Sequence, residues 1–271
     1  MILTDRTSQQ DPFRTLLYSI IRREITEEDG TVSIMDKGVP TGSAIQPPLC
    51  NLYLLDLDRL SEKQPDGFYA RYGDDFIFCH PDFNTVQHVA TQTDTLLKDL
   101  ALTVSPHKMK DFYFTGPGRP SKHDPGLSHR SYVELLGCRL NFDGAIQLRN
   151  KKTQELLRDL QSRIRRSLCF MIGMTDREKT TKLCRIVNRA LTPSDALCQR
   201  VAPMLHRTVN DREHLRHIDY LIALMVSRAV SGSRSVKAFR SVSYRRLRRE
   251  HGLHSLVIRR NEPRNLRERR R

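Results

Sequence analysis

The chain has 271 residues, with 46 Lys and Arg against 31 Asp and Glu, giving a formal net charge of +15. Its 38% hydrophobic and 28% charged content excludes a disordered polymer and is ample for a buried core. No run of about 18 uncharged apolar residues occurs, so no spanning helix is expected.

In chain order, residues 12–25 repeat Phe13, Leu16, Leu17, Ile20 and Ile21 at helical spacing. Asp29-Gly30 then reads as a turn between short β-prone runs. Residues 49–60 look helical, and 68–79 read as two aromatic-rich strands about a Gly-Asp turn. An amphipathic helix is expected over 84–101, with Val86, Val89, Leu96, Leu97 and Leu100 on its apolar side. Strands are expected at 102–105, 111–116 and 132–140, with a Gly- and Pro-rich loop at 116–130 and a turn at Asp143-Gly144. From 153 the pattern is helical: Leu156, Leu157, Leu160, Ile164, Leu168 and Met171, then Leu183, Ile186, Val187 and Leu191, then Leu215, Ile218, Leu221, Ile222, Met225 and Val226.

Charge follows the same division. Residues 1–150 carry 16 basic and 20 acidic side chains, 151–231 carry 16 and 8, and 232–271 carry 14 and 3. All of the excess lies in the C-terminal half, which suits a polyanion partner such as nucleic acid; a solvated basic surface is the plainer alternative. An anionic membrane fits less well, because the tail has no apolar stripe opposite its arginines.

The six cysteines form no CxxC pair and are expected as buried reduced thiols rather than a zinc site or disulfide framework. The start (Met1, Ile2, Leu3, Thr4, Asp5) has neither the basic nor the apolar part of a secretory leader, so a cytoplasmic location is expected.

Chemistry concentrates at Tyr72-Gly73-Asp74-Asp75. On a regular strand adjacent carboxylates face opposite ways, but at a turn both can converge. Converging carboxylates repel unless a cation neutralises them, which points to a hard divalent metal such as Mg2+. Taken alone, the tetrapeptide is also ordinary turn composition. Upstream, Gly38, Pro40, Gly42 and Pro47 form a loop leading into a helix, a setting suited to close approach by a nucleotide or base pair.

These blocks together resemble bacterial reverse transcriptases of the retron and group II intron type. Gly38, Pro40, Gly42, Ser43, Pro47, Leu49, Asn51 and Tyr53 match the family's Gly-x-Pro-Gln-Gly-Ser block and following helix; Thr41 replaces the usual Gln and Gln46 a common Ser. Tyr72, Asp74 and Asp75 match its metal-binding hairpin. The segment 102–108 resembles the one whose lysine, here Lys108, helps pyrophosphate leave, and 134–140 resembles the primer-gripping strands, centred on Leu136 and Gly137.

The resemblance implies an α+β fold: a polymerase palm, with an antiparallel sheet and helices on one face, followed by a helical thumb. A partial palm is expected over 1–150, a basic thumb-like domain over 151–250 and a basic tail over 251–271. It further implies RNA-directed DNA polymerase activity by two-metal nucleotidyl transfer, with an RNA template, a DNA or RNA primer duplex and dNTPs as partners and no membrane. Asp74 and Asp75 are expected to bind the metal and Lys108 to aid catalysis. Pro40, Gly42, Ser43, Gln46 and Tyr72 are expected to contact nucleotide and template, and Leu136 and Gly137 to grip the primer.

The family's upstream aspartate has no convincing match, since Asp5 lacks the expected aromatic after it and Asp11 precedes Pro12. The expectation is therefore an N-terminally truncated enzyme, inactive or dependent on another polypeptide. Two rival readings share the residues: a non-catalytic, maturase-like RNA-binding remnant, and a template-independent nucleotidyltransferase of a phage-defence system. Among smaller signals, His214 and His217 are expected to lie at the surface or pack rather than bind metal, and Asp56 and Asp58 to serve as a polar helix face or caps. His251 and His254 are expected to meet phosphate or solvent.

Overall fold

A computed structural model describes residues 12, 15, 16, 18, 24–26, 29–34, 38, 43–105, 109–116, 127–192 and 201–261. The chain forms two compact units, Met1–Lys110 and Asp111–Arg271. Helices and small sheets mix along it, in keeping with the α+β expectation.

In the first unit, strands β1 (Glu24–Thr26) and β2 (Val32–Ile34) pair antiparallel about the turn at Asp29-Gly30. Asp29 Oδ1 accepts from the Thr31 N–H at 2.9 Å, closing that turn. Helix α1 (Gln46–Tyr53) starts with Pro in its first turn, where the missing N–H costs nothing. Leu54 separates it from α2 (Leu55–Glu62). Strands β3 (Phe68–Tyr72) and β4 (Asp75–Cys79) form an antiparallel hairpin, and α3 (Phe83–Asp99) follows. Asp82 caps α3 by accepting from the Thr85 N–H at 2.9 Å. Leu54, Leu57 and Leu97 form the buried centre, with Cys50, Tyr69, Leu96, Leu100 and Val104 packed around it.

No strand forms over 102–105. Helix α3 ends by placing Ala101 at φ +54°, while the Leu102 N–H donates to Leu97 O at 2.8 Å. This left-handed cap reverses the chain and spends the amide that a ladder would need.

In the second unit, the expected strand at 111–116 narrows to β5 (Tyr113–Phe114), which pairs parallel with β6 (His129–Arg130). The expected single strand at 132–140 is instead a hairpin of β7 (Tyr132–Leu135) and β8 (Cys138–Asn141), to which β9 (Ile146–Leu148) adds antiparallel. The intervening turn places Leu136 at φ +50° and Gly137 at φ +80°. Two positive φ values at the central positions match the I′ turns that suit strand twist. Leucine rarely supplies one, which is why composition does not reveal the turn.

Helices α4 (Asn150–Leu168), α5 (Asp176–Ala190), α6 (Ala202–Arg207), α7 (Arg212–Ser231), α8 (Tyr244–Arg249) and α9 (Leu256–Asn261) complete the unit, with a 3-10 turn at Val236–Arg240. Their apolar stripes meet in one core that includes Leu156, Leu160, Ile164, Leu183, Val187, Leu215, Ile218 and Leu247. Strand β9 is stitched to the start of α7. Ile146 N–H donates to Asn210 Oδ1 at 2.6 Å, and Leu148 N–H donates to His214 Nε2 at 3.2 Å. His214 therefore packs, as expected. His251 packs as well, against expectation: it is 6% exposed, and its Nδ1 lies 2.9 Å from Thr181 Oγ1 on α5.

Burial pushes the Cys184 thiol up to about 12. Contrary to the expectation of burial, Cys169 is exposed where α4 ends, and Cys50, Cys79 and Cys138 are only half-buried. Among the described residues, no helix is long and apolar enough to cross a membrane.

Candidate active site

The β3–β4 hairpin closes in two residues, Gly73 and Asp74, with Tyr72 paired to Asp75. Gly73 has φ +65° and Asp74 is not among the positive-φ residues, the pattern of a II′ turn with glycine first. Tyr72 is 72% exposed at the tip, and Asp74 and Asp75 are exposed beside it. Among the described residues, neither carboxylate has a hydrogen-bond or ion-pair partner.

What holds this tip lies one residue back. Tyr69 and Arg71 share one face of β3, since side chains alternate. The Arg71 side chain is only 6% exposed and bonds Asp58 of α2 with two nitrogens: Nε to Oδ1 at 2.7 Å and Nη2 to Oδ2 at 2.5 Å. Its third nitrogen, Nη1, donates to Asn51 Oδ1 at 3.1 Å and to the Gly73 carbonyl at 3.0 Å. Tyr69 Oη donates to Asp58 Oδ1 at 2.7 Å. One guanidinium thus joins α1, α2 and the turn that carries Asp74.

The electrostatics agree with that geometry. The hydrogen bond from Arg71 holds the Asp58 carboxyl below its usual range, outweighing partial burial, and Asp58 in turn raises the Arg71 guanidinium. Burial, then the bond to Asp58, pushes the Tyr69 phenol up. Asp58 is thus no mere polar face or cap but the anchor of a network. A charged residue on the helix-facing side of an aromatic strand is the available sequence signal, because such a residue needs a carboxylate partner.

Ser43 and Gln46 sit together where α1 begins, with the Gln46 N–H donating to Ser43 O at 3.1 Å. Both are half-buried. Helix α1 reaches the tip through Asn51 and Arg71. Pro40, Gly42, Lys108 and Asp5 lie outside the described residues. Leu136 and Gly137 belong to the second unit. There Leu136 is 49% exposed at the turn, while Gly137 lies against α4 and α6: an added Cβ would meet Met204 Cε at 3.3 Å and Lys152 Cγ at 3.4 Å.

The donor chemistry of the tip suits magnesium. Two carboxylates offer hard oxygens, and Mg2+ typically binds through one or two carboxylates while keeping waters and substrate phosphates as its other ligands. Among the described residues, no group of three or more His, Cys, Asp or Glu is placed to hold an ion. Asp74 and Asp75 offer two carboxylates of the kind such an ion takes.

A family model described as reverse transcriptase (RNA-dependent DNA polymerase) matches residues 3–140. Comparison with curated proteins and with solved structures returns no match.

Proposed function

Because the chain belongs to the reverse transcriptase (RNA-dependent DNA polymerase) family, we propose that it extends a primer 3′-hydroxyl on an RNA template at the Tyr72–Asp75 tip. The observation that carries this reading is a pair of exposed, unpaired carboxylates on a turn whose backbone is tied to a nearly buried arginine. A preorganised site of this kind loses little to rearrangement when substrate arrives.

In this reading Asp74 and Asp75 bind the metal. Magnesium bound there supplies Lewis-acid activation of the 3′-hydroxyl and neutralisation of the phosphates. Arg71 keeps the Gly73 carbonyl, and with it the tip, in place. Tyr72 offers an aromatic face beside the carboxylates for the nucleotide. Pro40, Gly42, Ser43 and Gln46 contact nucleotide and template, and Lys108 stabilises the charge on leaving pyrophosphate. Leu136 and Gly137 grip the primer, and the basic helical unit binds the phosphates of the template–primer.

The test is primer extension together with RNA binding. Asp74→Ala combined with Asp75→Ala abolishes extension and leaves RNA affinity unchanged. Extension at wild-type rate in that variant would overturn the assignment.

A further inference from the structure

The turn joining α4 to α5 carries an unusual surface. Phe170 is 80% and Ile172 90% exposed, more than any other large hydrophobic residue among those described. The turn is nonetheless firmly built. Phe170 N–H donates to Ser167 O at 3.1 Å, Met171 N–H to Leu168 O at 3.0 Å, and Met174 N–H to Met171 O at 3.3 Å. Met171 is 1% exposed and plugs the helical core, so its two neighbours are presented outward from a fixed base. Thr175 and Glu178 then form a capping box that fixes the start of α5.

Cations bracket this apolar tip. Arg165 and Arg166 are exposed in the last turn of α4, and Arg177 is exposed at the start of α5. The acids in the adjoining sequence are Asp176 and Glu178, of which Glu178 is engaged in the cap. A partner must therefore offer apolar faces and negative charge close together. A second copy meeting this tip with its own would bring the same cations and be repelled. A membrane would need a broader apolar face than two side chains. Unpaired nucleic-acid bases meet both requirements, since each presents a π-face beside a phosphate.

We propose that Phe170 and Ile172 form a stacking tip for unpaired bases, with Arg165, Arg166 and Arg177 on the adjoining phosphates. The inference rests on the reading that the chain handles nucleic acid. Fluorescence anisotropy with a single-stranded RNA and a blunt RNA duplex of equal charge tests it. Phe170→Ala combined with Ile172→Ser weakens single-strand binding about tenfold, from the usual scale of base–aromatic stacking, and leaves duplex binding and the salt slope unchanged.

Phe170→Trp retains the affinity. Arg165→Gln combined with Arg166→Gln instead reduces the salt slope, by about one unit for each phosphate no longer neutralised. Unchanged single-strand affinity in the Phe170/Ile172 variant, with wild-type protein binding RNA, overturns the stacking tip and leaves the polymerase reading standing. Equal losses on both RNAs overturn it as well. Wild-type protein that binds neither RNA overturns both.

Discussion

Replacing Arg71 by Met keeps most of the apolar stem and removes every donor, so it isolates the polar role of this side chain. Asp58, whose side chain is 21% exposed, then keeps Tyr69 as its remaining partner in the network, while Asn51 and the Gly73 carbonyl lose their bonds to the guanidinium. Removing one member of a largely buried ion pair costs about 3–5 kcal/mol. At about 3 °C per kcal/mol for a chain of this size, the melting transition that includes the first unit falls by about 9–15 °C.

Asp58→Asn costs a comparable amount, because it leaves a nearly buried guanidinium without its countercharge. The double variant is less damaged than the sum, with a coupling of about 2–3 kcal/mol. The pH dependence follows from the depressed Asp58 carboxyl. Its contribution is present above the ordinary carboxylate range and is lost as pH falls through the lowered folded-state value, so Arg71→Met flattens the acid limb below about pH 4. Circular dichroism melts of the four proteins between acid and neutral pH measure all of this. Additive single variants, or an Arg71→Met protein melting within a degree of wild type, would refute the network as the support of the tip.

Two further substitutions probe the second unit. Gly137→Ala forces a side chain to φ +80° and destabilises by about 1–2 kcal/mol in urea unfolding; the contacts at Met204 and Lys152 involve flexible side chains and add little. Asp219 is 5% exposed, accepts from the Leu256 N–H at 2.9 Å and from Ser255 Oγ at 2.7 Å, and has its carboxyl raised by burial. A raised carboxyl favours the fold at low pH and loses that contribution as pH rises through its folded-state value. Asp219→Asn therefore removes one component of the stability decline between the ordinary carboxylate range and that raised value, as read from denaturation midpoints across the acid range.

Hairpin tips and helices are legible in the sequence because their signals are local. Asp29-Gly30, Gly73-Asp74 and Asp143-Gly144 carry turn chemistry within two residues. The stripes at Leu156–Ile164 and Leu215–Ile222 follow the helical period. The turn at Leu136-Gly137 breaks that logic, since leucine at positive φ contradicts the ordinary rule. Residues 102–105 are β-prone, yet the left-handed cap at Ala101 turns the chain before a ladder begins. For the site, the position of Asp74 and Asp75 can be read directly. Their support cannot, because the pairing of Asp58 with Arg71 joins a helix to a strand 13 positions apart, and no periodicity encodes that contact. Phe170 and Ile172 are hidden for the opposite reason: Met171, between them, continues the core pattern while its neighbours leave it.

Single-nucleotide incorporation on four RNA templates that differ in one base, with Mg2+ and all four dNTPs, separates templated from untemplated addition. The added nucleotide is expected to follow the template base, and incorporation to be lost in Asp74→Asn combined with Asp75→Asn while template–primer affinity is retained. Addition of the same nucleotide on every template, or incorporation that persists in the double variant, would contradict templated synthesis at this tip.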